Sequence, residues 1–378
     1  MATNSRLTYS INADRRDIDF HNEIILLEPN KNPLTVLLAK MGKAATTDVE
    51  FGWFEDELGV RWDSFAGAVA VTTETALVVT TIGAFQPRDV IKNARTGEVM
   101  LVTAVTAGTS TLTVVRGFGS TAAAAILNLD AIVIIGNANQ EFATMPAIKD
   151  GADTTVKNNV QIFRTAFGIS GSMNATETLT GKDLPYLRRK KAIEHAIDIE
   201  RAFLFGEKNT GGAPNRTRTT AGVIALATQN AGTFTNNAAV TFGNIGRWFE
   251  SIFRYGSSEK ILLASSRWIT LLDNLGEAKL QTVPKDETYG IAVSRLLTHH
   301  GELYVIKHHL LEGPYINRAI ALDMECLKYR YLSGRDTKLR TNIQANDADG
   351  VVDEYLTECG LEFRQPKRHG VATITTVS

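Results

Sequence analysis

The clearest pattern of apolar and polar positions lies in LPYLRRKKAIEHAIDIERAFLFG, residues 184–206. At 100° per residue, Tyr186, Ala192, Ile193, Ala196, Ile197, Ile199, Phe203 and Leu204 gather in one broad arc, with Lys190, Lys191, Glu194, Asp198 and Arg201 mostly opposite. The spacing predicts an amphipathic helix with Asp183 as N-cap, Pro185 in the first turn and Gly206 as its stop. Such a helix runs about 33 Å at 1.5 Å per residue. Two charges fall inside the apolar arc, Arg189 and Glu200. Three turns apart, they cannot satisfy each other, so each needs a partner from elsewhere or must snorkel; an Arg or Lys is the expected partner of Glu200. Leu184, Leu187 and Phe205 fall on the polar side, so both faces have something to bury. That suits a strut between packed layers better than a surface helix.

The rest of the chain alternates in character. Residues 1–30 are polar, charge-mixed and without periodicity, an arm that needs a partner surface to become ordered. NPLTVLLAKMG, residues 32–42, reads as a short helix, and TDVEFGWFEDEL as a strand-like continuation. From about 64 to 140 come short Val, Ile and Thr runs (AVAVTT, ALVVTTI, EVMLVTAV, TLTVV, AIVII) with turn signals between them. This is the texture of a small β sandwich or barrel inserted in the chain. Polar, extended residues 141–172 lead to the long helix, and a loose segment precedes a second amphipathic helix at 244–254. KILLAS reads as a strand, SSRWITLLDNL as a helix, GELYVIKHHLL and RAIALDMECLKYRYL as strands. DEYLTECGLEFRQPKRHGVATI reads as a terminal strand or hairpin. The fold class is α+β.

Composition narrows the function more than it reveals it. With 378 residues, 44% apolar and 21% charged, the chain can bury a large core and divide into two or three units. Forty basic against 41 acidic residues leave a net charge of -1, which advertises no nucleic-acid or anionic-membrane surface at chain level. Cys326 and Cys359 have no metal-ligand spacing and form no disulfide framework, which suits a reducing cytoplasm. No apolar run approaches the ~20 residues of a membrane span, and no secretory signal is visible.

Sites for chemistry fail one by one. Gly206-Glu-Lys-Asn-Thr-Gly211 has the glycine spacing of a P-loop, but Gly212 and Ala213 stand where Lys and Ser/Thr belong. GISGS does not match a nucleophile elbow. Asn346–Gly350 resembles part of a calcium loop, yet Ala345 and Leu356 occupy its first and twelfth positions, which leaves an Asp/Gly turn. The pairs His299-His300 and His308-His309 are the best metal candidates, but neighbours on a strand point to opposite faces and no second ligand pair lies nearby. The basic run Arg188–Lys191 spreads around its helix, so a solvated or intersubunit face is its reading. No catalytic, cofactor-binding or metal-binding residue is assigned.

The order of parts is arm, short helix, β excursion, long helix, then a mixed α/β region with a late return strand. Together with NPLTVLLAKMGKAATTDVEFGWFEDEL, NNVQIFRTAFGISGS before KKAIEHAIDIERAFLFGEK, and GLEFRQPKRHGVATI, it resembles tailed-bacteriophage major capsid proteins of the Hong Kong 97-type fold, in a subfamily with an insertion in the extended loop. The resemblance spans residues 30–370. It implies an N-terminal arm at 1–30, the short helix and start of the extended loop at 31–63, an inserted β-rich module at 64–140, the loop's return at 141–182, a spine helix at 183–206, and peripheral and axial domains at 207–378. It further implies a non-enzymatic shell subunit that self-assembles into hexamers and pentamers. A scaffold, portal or decoration protein would be a further partner, and packaged double-stranded DNA a neighbour by non-specific proximity. There would be no cofactor and no membrane, and the protein would reside in the virion after assembly in the bacterial host cytoplasm. Under this reading Arg188, Arg189, Lys190, Lys191, Glu194, Glu200 and Arg201 are the candidate subunit-interface residues. Two alternatives stand beside it: the shell protein of an encapsulating compartment with the same fold, and a cytoplasmic enzyme with a β-rich accessory domain.

Overall fold

A fourteen-residue strand, Gly350–Phe363, runs through the centre of the main sheet and is buried along almost its whole length. In the computed structural model, which describes residues 33–142, 144–145, 153–176, 183–212, 217–227, 231–235, 242–276, 282–288 and 291–375, this strand pairs on one side with Gln161–Ser170 and on the other with Leu327–Leu332, which pairs in turn with Lys43–Thr46. A short strand, Lys338–Arg340, also pairs with it. The arm expected at residues 1–30 lies outside the described residues. Side chains alternate across the long strand. Cys359, Leu361 and Phe363 join Ile199, Phe203 and Leu204 of the helix Asp183–Phe205 in one apolar core, and Glu354, Glu358 and Glu362 take the opposite face.

The chain forms two compact units, one from residues up to Trp53 and from Val156 onward, the other from Phe54 to Thr155. Within the first unit a second, seven-stranded sheet has the order Ala231–Thr235, Gly370–Thr375, Arg318–Leu322, Glu259–Ala264, Glu302–Lys307, Ile291–Leu297, Thr282–Thr288. Its central strands are apolar on both faces because both are covered. Leu263, Ile320 and Leu322 face the core beneath the long helix. Leu262, Ala264 and Ala321 face the helices Phe242–Phe253 and Ser266–Gly276 through Ile245, Trp248, Ile252 and Trp268. This is why KILLAS and RAIAL read as continuous apolar runs without alternation.

Two expectations for this region need correction. The terminal segment is not a hairpin: Gly350–Phe363 and Gly370–Thr375 are strands of different sheets, joined through Gln365 at φ 53° and the turn Pro366–Arg368. The run GELYVIKHHLL is a strand only as far as Lys307; His308 then caps the turn His309–Leu311 by accepting the Leu310 N–H on Nδ1 at 3.2 Å. In one place the chain changes sheets and in the other a side chain ends the strand, and neither event is marked by periodicity in the sequence.

The crossing between sheets is stitched by buried polar groups. Lys260 donates to the carbonyls of Tyr255 at 3.1 Å and Arg368 at 2.7 Å, with Asp323 Oδ2 3.6 Å away. Burial lowers its pKa, against the pull of Asp323. His369 accepts the Asp323 N–H on Nδ1 at 3.1 Å, so Nε2 carries the proton and donates to the Arg364 carbonyl at 3.1 Å. Burial pushes its pKa down to about 4.

The second unit is a closed barrel. Its six-stranded sheet has the order Trp62–Ser64, Ala131–Asn137, Asp89–Asn93, Val99–Thr106, Thr111–Val115, Ala76–Val78. The two outer strands meet through the bridge Phe65↔Val79, where Ala66 N–H donates to the Val78 carbonyl at 2.9 Å. Closure removes the free edges that a short-stranded sheet would expose. The interior is filled by Phe65, Leu77, Ile91, Met100, Leu112 and Ile132, among others. One charge pair is enclosed with them: Arg116 grips Glu98 through Nε–Oε1 at 2.7 Å and a terminal nitrogen–Oε2 at 2.9 Å. The N–H groups of Gly117 and Ala124 each reach the same carboxylate at 3.1 Å. Burial raises the pKa of Glu98, but the guanidinium and these donors outweigh it, and the net shift is downward.

Two outcomes test this packing. Arg116→Ala strands the Glu98 carboxylate without its cation and should cost about 3–5 kcal/mol, read as loss of amide-exchange protection across the Phe54–Thr155 unit. His369, neutral in the fold, has a folded pKa below its unfolded one, so its contribution is intact above about pH 6.5 and fades as the pH falls toward 4. On the order of 3 kcal/mol should be lost over that window. In acid titrations followed by tryptophan fluorescence, His369→Asn should show a correspondingly weaker loss between pH 6.5 and 4.

Candidate assembly surface around the long helix

The helix Asp183–Phe205 has two unlike halves. His195, Ile197, Ile199, Glu200, Phe203 and Leu204 are buried, whereas none of the residues from Asp183 to Glu194 is. The C-terminal half is sandwiched between the main sheet and the helix Pro33–Met41, whose Leu34, Leu37 and Leu38 belong to the same core. Its end is fixed by backbone approach: the Gly222 N–H donates to the Gly206 carbonyl at 2.8 Å, and a Cβ on Gly206 would overlap the carbonyl oxygens of Ala202 and Thr220. The N-terminal half touches the sheet along one line. Arg188 reaches Asp353 Oδ2 at 2.8 and 2.7 Å, and the Tyr355 hydroxyl donates to the Arg188 carbonyl at 3.2 Å. At the boundary of the halves His195 lies between Thr165 at 2.9 Å and Thr357 at 2.7 Å. Burial lowers its pKa, opposed by Asp198.

Glu200 is fully buried, but its partner is not the Arg or Lys expected from the sequence. Its Oε1 accepts the Leu34 N–H at 3.0 Å, and its Oε2 accepts the Thr35 N–H at 3.1 Å together with the Thr35 hydroxyl. Pro33, the first residue of that helix, has no N–H to offer, so these are the first free amide donors at its N-terminus. A carboxylate 166 residues away serves as the cap. His308 Nε2 lies 2.7 Å from Oε1; with Nδ1 occupied by the Leu310 N–H, Nε2 holds the proton and donates. A neutral imidazole and oriented amides replace the cation.

The other candidate interface residues stay apart from this hub. Arg189 is exposed, which corrects its placement in a buried arc; the first turns of the helix are not covered as deeply as the last. Lys190 is half-buried, Lys191 pairs with Glu194 at 2.6 Å, and Arg201 pairs with Asp198 at 3.1 Å on the exposed side. Glu200 and Arg188 spend their charges inside their own chain. Sequence reading missed Asn158, whose amide donates to Thr220 Oγ1 at 3.1 Å and to the carbonyls of Ala221 at 3.2 Å and Leu361 at 2.7 Å. It ties the strand Thr154–Asn159 to the long strand, and a lone Asn in a polar run carries no signal of this.

Among the described residues no group of His, Cys, Asp and Glu could hold a metal ion, and no helix is long and apolar enough to cross a membrane. His299 and His300 lie in an exposed turn. On the barrel, the directly paired Trp62 and Val133 leave 54% and 44% of their surface exposed, with Ile135 on the same face at 59%. Among the described residues, apolar side chains are thus left outside as well as packed within. Residues 2–376 match the family described as SU10 major capsid protein.

The chain belongs to that family. It is a structural capsid subunit, not an enzyme. A major capsid protein of Pseudomonas phage PaMx41 is 23% identical over 388 residues, covering 94% of this chain and 91% of the relative. Among solved structures, one from Mycobacterium phage Bobi matches with TM-score 0.49 at 8% identity over 96% of this chain and 97% of its own. The capsid of Myoviridae phage XM1 matches with TM-score 0.48 at 8% identity over 97% and 99%.

Glu200→Gln tests the hub. The amide turns an N–H donor toward donors at Thr35 or at Leu34 and His308, and removes the charge that the helix N-terminus favours. It should cost about 1–3 kcal/mol, while Glu194→Gln on the half-buried side should change the melting temperature little.

Proposed function

We propose that the subunit adopts the Hong Kong 97-type arrangement and closes, as hexamers and pentamers, into an icosahedral shell around double-stranded DNA in a virion assembled in the host cytoplasm. The observation that carries this reading is the half-covered N-terminal portion of the long helix, where Tyr186, Leu187 and Ile193 are only partly buried beside Arg189, Lys190 and Lys191. An isolated subunit gains nothing from leaving these apolar groups wet, whereas a neighbour's arm or loop laid over them buries area in every copy of the shell. The exposed Trp62, Val133 and Ile135 of the β-rich module supply further contact surface in the same scheme. A scaffold, portal or decoration protein would be a further partner. Family membership favours the capsid over the encapsulating compartment.

Negative-stain imaging of the purified chain should find shells or capsomer rings, and a monodisperse monomer at high concentration by light scattering would overturn the proposal. Lys190→Glu, a surface change expected to alter subunit stability by no more than about 0.5 kcal/mol, should reduce or abolish closed shells. Shells of parental yield and melting temperature would remove this helix face from the interface.

A further inference from the structure

The face of the main sheet turned away from the long helix carries a ladder of arginines seated on buried glutamates. By register, Ile162, Arg164, Ala166, Lys328, Arg330, Lys338 and Arg340 share that face with Glu354, Leu356, Glu358 and Glu362, and on this face the paired strands carry no other carboxylate. Glu354 is held by Arg164 and Arg340, Glu358 by Arg335, and Glu362 by Arg330 and Arg364. The three carboxylates are almost completely enclosed, yet the side chains of Arg164, Arg340, Arg335 and Arg364 remain 60%, 55%, 46% and 38% exposed. Two of the three sites thus hold more cation than anion.

The direction of the guanidinium groups matters as much as their number. Arg164 and Arg330 hydrogen-bond their glutamates through Nε, the nitrogen nearest the stem, and Arg335 and Arg364 bring the same nitrogen against theirs as ion pairs. Arg164 adds one terminal nitrogen, at 2.6 Å from Glu354 Oε2, and Arg330 uses Nη1 on the Ala45 carbonyl at 3.4 Å. Held at the stem, these side chains have lost much of their rotamer freedom before any partner arrives, and their outer edges keep donors to spare. The sites recur every four residues of one extended strand, about 13 Å apart at 3.3 Å per residue. A row of fixed forks along a line suits a linear polyanion with repeated oxyanions better than a single small anion.

We infer that this face is a docking surface for the phosphate backbone of double-stranded DNA, bound without regard to sequence. The inference rests on the capsid reading above and adds to it a specific contact surface in a chain whose net charge, -1, gives no hint of one. Charge complementarity argues for it: the face is cationic, its carboxylates are neutralised from within, and it offers no base-reading groove or aromatic platform.

The test uses the unassembled full-length subunit and a mixed-sequence DNA duplex. Arginine modification by a dicarbonyl reagent, located by mass spectrometry, should fall at Arg164, Arg335, Arg340 and Arg364 when DNA is added, and stay unchanged at exposed Arg247. Binding measured against salt concentration should weaken steeply. The triple substitution Arg164→Gln, Arg340→Gln, Glu354→Gln removes two cations without stranding the carboxylate, and should flatten the slope of log K against log salt by about 1–2. An unchanged slope with unchanged protection overturns the inference. So does protection by a poly-glutamate peptide but not by DNA, or protection already present in shells free of nucleic acid, since either makes the occupant another protein surface. If shells form normally and DNA protects nothing, only this inference fails and the capsid reading stands.

Discussion

A carboxylate removed from water must be met by donors on every side, and Glu200 is where this subunit satisfies that demand with three elements at once. Its oxygens cap the helix Pro33–Met41 and receive the His308 imidazole, while its backbone belongs to the long helix. None of these partners is near it in sequence, and none can shift by an ångström without leaving a buried donor or acceptor unmet. The core of Leu34, Phe203, Leu322 and Phe363 supplies most of the burial energy, but apolar packing tolerates sliding. The Glu200 contacts fix the register in which that packing occurs.

Around that point the subunit divides its surfaces by polarity. The helix side of the main sheet is apolar and filled by the chain itself; the other side is charged, with every glutamate neutralised in place. The barrel repeats the scheme with a packed interior, one enclosed Arg116–Glu98 pair and an outer wall that keeps Trp62, Val133 and Ile135 exposed. Buried charges paired from within one chain hold the packing of each unit in register. Apolar groups left on the outside give the subunit a reason to associate. For a capsid protein the two properties belong together, since a shell of many copies needs subunits that present the same surface every time.

The sequence by itself determined the α+β class, the long amphipathic helix and the β texture that becomes the barrel. These are carried by short-range regularities: a 3.6-residue period from Tyr186 to Leu204, alternation in TLTVV, Ser and Gly at element ends. It marked Glu200 as a residue in need of a partner because a charge stood in an apolar arc. Tertiary structure alone decided who that partner is. His308 and the amides of Leu34 and Thr35 are brought there by a crossing of layers that leaves no periodic trace, and backbone donors have no letter in the sequence at all. The same holds for the terminal segment, where apolar patterning marks two strands but not that Pro366–Arg368 carries the chain from one sheet to another. It holds too for Arg164 and Glu354, which are 190 residues apart and meet only because two strands pair in that register. Periodicity reports which face a residue shows; which neighbour it meets is settled by long-range packing.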